Sequence, residues 1–379
     1  MDEGLCMKIG FLSTYFYPVA GGAENNCFYL AKELAKHHEV HVFTSDRKDK
    51  QRFKREEIIH NIQIHRFGTW FRYRYYLALY PGIINAIRKA DLDILHVHSL
   101  GFFQHDIAVL MKKIGKKTKL VITPHGPFMA LDNYGLHERI LKKAATILEI
   151  PFNRLYDAII QVNPYQKEWM TSLGFNEDKI HFIPNGIPKE AFRKVPPLKQ
   201  HKGRFIITYL GRIQEYKGLN QIIQVLPNFP KILFIAMGED AGDQQRLQNL
   251  AKQLKVEKQV LFTGKVSEKE KLQLLDTSEI FILPSKWEAF GIVIAEAMAR
   301  GNAIISTETE GGKFLVKKEN GFTYEFGNIK QLKEKLSILI SNKKLRKKMQ
   351  LANKKKAQEF LWDKLTKQTE ELYKKLLKA

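Results

Sequence analysis

From Lys8 to Ser13 apolar and polar residues alternate among β-forming types, and Thr14 to Gly22 is rich in turn formers. Ala23 to Lys36 then carries apolar residues at helical spacing, ahead of a second strand at Val40 to Thr44. This is a βαβ opening. Further strands are expected near Ile62 to Phe67, Ile94 to Val97, Leu120 to Thr123, Ala158 to Val162 and His181 to Ile183, with helical stretches between them. A polar, proline-bearing segment, Val195 to Gly203, reads as a linker. Beyond it the rhythm restarts at Phe205 to Leu210, Ile232 to Met237, Val260 to Thr263, Ile280 to Leu283 and Ala303 to Ser306. Short apolar strands alternating with longer amphipathic helices predict an α/β protein of two Rossmann-like, doubly wound parallel-sheet domains. The expected boundaries are 1–197 for the first domain, 198–355 for the second and 356–379 for a final helix. Ligands of open parallel sheets settle beyond the carboxyl ends of the strands, so two such domains facing across a cleft can hold a pair of substrates.

Composition narrows the class. The chain has 379 residues, 44% hydrophobic and 27% charged, enough to bury two cores and too apolar for disorder. Its two cysteines, Cys6 and Cys27, supply neither a disulfide framework nor metal-ligand spacing, which suits a reducing, cytoplasmic setting. The apolar run around Ile9 and Phe11 comes too early for a secretory signal, and every apolar stretch is too short to span a bilayer. The net charge of +22 is concentrated towards the end, with 15 Lys or Arg against 5 Asp or Glu from Gln331 onward. Lys343 to Lys348 and Lys354 to Lys356 are broken by apolar residues at helical spacing, the pattern of a helix with one packed and one wet basic face. Such a face also fits an anionic membrane surface; no nucleic-acid-binding spacing accompanies it.

Several segments carry candidate chemistry. Gly211-Arg212 and Lys217-Gly218 lie between a strand and a helix and put two cations where a diphosphate could be held. Glu288 falls on the loop after strand Ile280 to Leu283, while Glu296 lies inside a helix of Ile, Val, Ala and Met. A carboxylate there needs a partner, either a ribose diol or an arginine, Arg300 or Arg212. Gly21-Gly22-Ala23-Glu24 follows the first strand and lets a ligand approach the backbone, without forming a dinucleotide fingerprint. His125, past strand Leu120 to Thr123, can donate to a substrate hydroxyl or cap a turn. His96 and His98 resemble half a metal site but lack a third ligand, leaving local hydrogen bonding or pocket lining. Asp91 and Asp93 precede a strand, on the wrong edge of the sheet for a diphosphate-bound metal, and no metal site is expected. Arg72, Tyr73, Arg74 and Tyr76 belong to an aromatic and arginine cluster that could face an acceptor or pack one wall of the domain.

These segments together resemble the family 4 retaining glycosyltransferases of the GT-B fold over nearly the entire chain. The likeness rests on Gly21-Gly22-Ala23-Glu24, His125-Gly126, Pro184-Asn185-Gly186-Ile187, Gly211-Arg212 with Lys217-Gly218, and Pro284-Ser285 followed by Glu288-Ala-Phe-Gly291 and Glu296-Ala-Met-Ala. By the resemblance Arg212 and Lys217 bind the donor diphosphate, Glu296 the ribose, and Glu288 and His125 the transferred sugar, with the Gly22 backbone at the phosphate side of the reaction centre. Glu310-Gly311-Gly312 resembles a loop closing over the sugar, and the last helix, with Trp362, would return to the first domain. Asn302 stands where the family commonly has proline, which implies a more mobile loop. The implied co-substrate is a UDP- or GDP-sugar with no tightly bound cofactor. The implied acceptor is lipid-linked or a saccharide, in glycolipid or surface-polysaccharide synthesis at the inner face of a membrane. A sugar-nucleotide epimerase, a phosphorylase-like enzyme and a basic nucleic-acid-binding module are the competing readings.

Overall fold

The computed structural model describes residues 6–19, 21–48, 51–73, 77–100, 102–115, 117–126, 135–196, 198 and 203–379. The chain forms two compact units, one holding everything up to Gly186 together with Trp362–Ala379, the other Ile187–Leu361. The first division thus falls before the polar stretch rather than at 197. Residues 187–196 go with the second unit because Arg300 donates to the carbonyls of Ala191 and Arg193, at 2.8 and 2.9 Å. The second division lies at 361/362 rather than 355/356, since Ile187 pairs with Leu361 and its N–H donates to the Phe360 carbonyl at 2.7 Å.

The first unit is built on an eight-stranded sheet. Its order is Ile180–Phe182, Ala158–Gln161, Lys119–Thr123, Ile94–His98, Lys8–Leu12, Glu39–Ser45, Ile62–Phe67, Glu56–Ile59. All pairs are parallel except the last, an edge strand antiparallel to Ile62–Phe67. Side chains alternate across each strand, so Ile9 and Phe11 join Leu30, Ala31 and Leu34 of helix Gly22–Leu34 and Leu365 and Tyr373 of helix Trp362–Lys378. Leu12, Leu95 and Val97 join Ile83 and Ile87 of helix Gly82–Lys89 and Ala108 and Val109 of helix Phe103–Ile114 on the other face. The final helix packs on this unit, as the resemblance implies. Gly186 is needed at its start, because a Cβ there would stand 2.5 Å from the Trp362 ring. Asn185 accepts a hydrogen bond from Asn26 at 2.5 Å.

The second unit is a six-stranded, all-parallel sheet ordered Val260–Gly264, Ile232–Met237, Phe205–Leu210, Ile280–Leu283, Ala303–Thr307, Gly321–Tyr324. Strands Ile232–Met237 and Ile280–Leu283 are buried at every position, as expected of parallel strands covered on both faces. The order reverses direction between Phe205–Leu210 and Ile280–Leu283, which makes the carboxyl end of that pair a topological switch point. Helix Lys343–Ala357 buries Arg346, Met349, Asn353 and Ala357 and leaves most of its lysines exposed, so the basic run has the packed face and wet face its spacing predicts. Asn302 does not loosen its turn. It is buried, donates to the Leu275 and Ser278 carbonyls at 2.9 and 2.7 Å, and its own carbonyl accepts from Asn353 at 2.7 Å.

Candidate active site

The two loops at the second unit's switch point are fastened to each other through their backbones. Gly218 has φ +68°, and a Cβ on it would lie 2.2 Å from the Pro284 carbonyl oxygen, so only glycine allows this approach. The Lys286 N–H donates to the Tyr216 carbonyl at 2.7 Å, and Gln221 donates to the Pro284 carbonyl at 3.0 Å. The fastening brings Lys217 to Glu288, with Nζ 2.5 Å from Oε1 and 13% and 15% of the two side chains exposed. Ser285 donates to the same oxygen at 2.8 Å, and the Lys217 ammonium lies 4.8 Å from the centre of the Tyr216 ring. Burial draws the Lys217 ammonium down, but the Glu288 carboxylate and the Tyr216 side chain outweigh it and hold it above the ordinary lysine value. Arg212 is exposed on the same loop, and its carbonyl accepts from the Tyr209 hydroxyl at 2.8 Å. The turn Glu215–Lys217 is followed by helix Leu219–Val225, only seven residues long.

Glu296 lies on helix Ile292–Arg300 and is paired, though with neither arginine suggested by the sequence. Its Oε1 is 2.6 Å from Nζ of Lys271, which also reaches Glu268 at 2.8 Å. Burial lowers the Lys271 pKa, and the two carboxylates more than reverse this, leaving it raised. Arg300 instead forms a two-pronged pair with Asp276. Lys271 and Gln221 are site residues that sequence reasoning missed. Lys271 stands among Glu268, Lys269 and Glu270 and reads as surface charge. Gln221 offers no sequence signal, yet its side chain also accepts from Gly327 N–H at 2.8 Å and from the Tyr324 hydroxyl at 3.2 Å.

Glu310-Gly311-Gly312 is the first turn of helix Glu310–Leu315 rather than a loop. Thr309 caps it by accepting from Gly312 N–H at 3.1 Å, and Gly311 N–H donates to the Glu288 carbonyl at 3.0 Å. Both glycines are sterically required, since added Cβ atoms would meet the Phe290 and Thr307 carbonyl oxygens at 2.3 and 2.1 Å.

In the first unit Gly22 opens helix Gly22–Leu34, and a Cβ there would meet nothing within 4 Å among the described residues. A Cβ on Gly21 would stand 2.2 Å from the Glu24 carboxylate. His125 lies two residues past strand Lys119–Thr123 with φ +56°, and its Nε2 is 3.0 Å from Nδ1 of His98. Burial keeps His125 down at about 3, and His98 lies well below its usual range for the same reason. His96 uses both ring nitrogens on protein partners, Tyr373 OH at 2.6 Å and Thr123 Oγ1 at 2.8 Å, and so is not a free metal ligand. Asp93 accepts from the Lys8 N–H at 2.7 Å and Asp91 pairs with the Lys8 ammonium at 2.7 Å, at the amino edge of the sheet. Phe71–Tyr73 and Leu77–Leu79 form a small antiparallel hairpin, and Arg72 donates to Tyr15 OH at 3.1 Å. Arg74 and Tyr76 lie outside the described residues, as does the side chain of Tyr73.

Residues 20–191 match the profile described as Glycosyltransferase Family 4, and residues 190–356 match that described as Glycosyl transferases group 1. The phosphatidylinositol N-acetylglucosaminyltransferase gpi3 subunit of Schizosaccharomyces pombe is 25% identical over 309 residues, 79% of this chain and 66% of that protein. This chain thus spans a little under two thirds of that relative's length. The N-acetyl-alpha-D-glucosaminyl L-malate synthase of Bacillus anthracis is 25% identical over 396 residues, 98% of each chain. Among solved structures, Anabaena Alr3699/HepE in complex with UDP and glucose superposes with a TM-score of 0.78 at 20% identity, covering 97% of this chain and 100% of that one. Two adjoining profiles, two doubly wound parallel-sheet units and this shared GT-B architecture lead to one conclusion: the chain belongs to the family 4 glycosyltransferases.

Proposed function

We infer that the enzyme moves a sugar from a nucleoside diphosphate sugar to a hydroxyl acceptor with retention of anomeric configuration and without a metal ion. The observation that carries this reading is the Lys217–Glu288 pair at the switch point of the second sheet, with Arg212 on the same loop. Arg212 and Lys217 take the diphosphate through charge-assisted bonds, and Glu296, paired with Lys271, accepts from the ribose hydroxyls. Glu288 and His125 contact the transferred sugar, the Gly22 backbone lies at the phosphate side of the reaction centre, and the Glu310-Gly311-Gly312 turn supports the Glu288 loop from behind. With its charge neutralised by the two cations, the leaving diphosphate takes the acceptor proton through its own oxygen on the same face. Glu288 then stabilises developing positive charge on the sugar without forming a covalent intermediate.

UDP is the first donor to test, because the Anabaena protein is described in complex with UDP, with a GDP-sugar as the alternative. A lipid-linked or saccharide acceptor in glycolipid or surface-polysaccharide synthesis draws support from the phosphatidylinositol substrate in the yeast relative's name. Among the described residues no helix is long and apolar enough to cross a membrane, and the exposed lysines of Lys343–Ala357 suit peripheral attachment to an anionic surface. The deciding experiment follows product configuration by proton NMR from a sugar nucleotide of known anomer with chelator present. A retained anomer supports the reading; an inverted product, or activity that returns only with Mg²⁺ or Mn²⁺, overturns it.

A further inference from the structure

His98 and His125 stand 27 residues apart in sequence and meet because strands Ile94–His98 and Lys119–Thr123 pair in parallel, with His98 opposite Thr123. His98 ends its strand with no exposed surface. The left-handed backbone of His125 turns the chain so that its ring stacks on that of His98, centroids 5.2 Å apart and planes 26° from parallel. One nitrogen of each ring faces the other at 3.0 Å. Burial keeps both rings below the range in which imidazoles gain a second proton, so a single proton lies between the two nitrogens.

Which ring supplies that proton follows from the other end of His98. Its Nε2 is buried with no hydrogen-bond partner among the described residues, and its ring lies 5.6 Å from the Phe11 ring. The neighbouring imidazole, His96, is 4.4 Å away and already committed to Tyr373 and Thr123. If His125 were the donor, His98 would carry its proton on Nε2 as a buried N–H without an acceptor, the rarer and costlier fault in folded proteins. Placing the proton on Nδ1 of His98 leaves only a lone pair unsatisfied.

We propose that His98 is a positioning residue: its Nδ1–H donates to Nε2 of His125, which fixes His125 in the Nδ1–H tautomer and presents a hydrogen-bond donor to the ligand. This rests on the reading that His125 contacts the sugar of the donor. It commits the site to an oxygen of the sugar nucleotide acting as acceptor at that point, rather than a hydroxyl acting as donor.

The test uses the full-length protein labelled with 15N-histidine, without substrate, and reads ring tautomers from two- and three-bond proton–nitrogen correlations at pH 7. Signals are assigned from their loss in His125→Gln and His98→Phe. The expected result is a single Nδ1–H tautomer for His125 in the native protein and a mixed or Nε2–H population in His98→Phe. His98→Asn, which keeps a donor on the first side-chain branch, should restore the Nδ1–H form at least in part. In transfer assays His98→Phe should lower kcat/KM about as much as His125→Gln, with UDP affinity unchanged. A native His125 protonated on Nε2, or a tautomer population indifferent to His98→Phe, overturns the proposal and leaves the transferase reading standing. Absence of sugar transfer from every nucleotide donor, with the tautomer as expected, instead overturns that reading.

Discussion

Replacing Lys217 with methionine keeps the stem's apolar bulk and removes the ammonium. In the native enzyme that ammonium lies 2.5 Å from Glu288 in a largely dry setting, with 13% and 15% of the two side chains exposed. Of its three N–H bonds one is directed at Glu288 and another is engaged by the Tyr216 side chain, which leaves one for a diphosphate. A hydrogen bond to a charged group is worth about 1.5–3 kcal/mol, so nucleoside diphosphate affinity should fall about 10- to 150-fold. Glu288 would keep its bond from Ser285 at 2.8 Å, which limits the rearrangement. Isothermal titration with UDP in the presence of chelator reads the affinity, and thermal melting checks that both units remain folded. A double-mutant cycle with Glu288→Gln should return a coupling energy above about 0.5 kcal/mol, as for directly paired groups. Unchanged affinity together with additive stability effects would refute the assignment of Lys217 to the diphosphate and its pairing with Glu288.

Other outcomes follow from the same contacts. Lys271→Met strips Glu296, whose side chain is only 12% exposed, of its ion pair, and should cost about 1.5–3 kcal/mol of urea-unfolding stability, partly recovered by adding Glu296→Gln; an unaltered midpoint would contradict the pairing. His96, His105 and His125 are each held down to about 3 by burial, so below about pH 6.5 they bind more protons in the unfolded chain than in the folded one, while Asp106, pushed up to about 7 by burial, offsets about one of the three. Their stabilisation is complete above that pH and is lost as pH falls towards 3, at about 2 kcal/mol per histidine by pH 5. A urea midpoint that does not fall between pH 7 and pH 5 would count against three neutral buried imidazoles. Glu288→Gln should cut turnover far more than UDP affinity, and parallel losses in the two would move Glu288 from the sugar to the diphosphate.

Buried parallel strands announce themselves as short, wholly apolar runs, and for that reason Ile232–Met237 and Ile280–Leu283 were legible at their true bounds. The loops after Phe205–Leu210 and Ile280–Leu283 were legible as a candidate site because glycines and charges follow directly on strands that the topology makes neighbours. Less was readable where meaning depends on a distant partner. Lys271 becomes a site residue only through Glu296, 25 positions on, and His98 only through the register that sets it beside His125. The resemblance makes Glu310-Gly311-Gly312 a loop over the sugar, yet the segment is helical, and the close carbonyls of Phe290 and Thr307 admit nothing larger than its glycines. Asn302 looked like a weaker substitute for proline, and it instead ties together the carbonyls of Leu275 and Ser278.

The central claim is that Arg212 and Lys217 neutralise the diphosphate of a nucleotide sugar, so that no metal is required. Calorimetric titration of UDP, and of GDP as the alternative, into the native enzyme and into Arg212→Ala and Lys217→Ala, all in chelator, tests it most directly. The account predicts that at least one nucleotide binds the native protein without metal and that each substitution weakens it by about 1–3 kcal/mol. Binding that appears only on adding Mg²⁺ or Mn²⁺, or affinity indifferent to both substitutions, would contradict it.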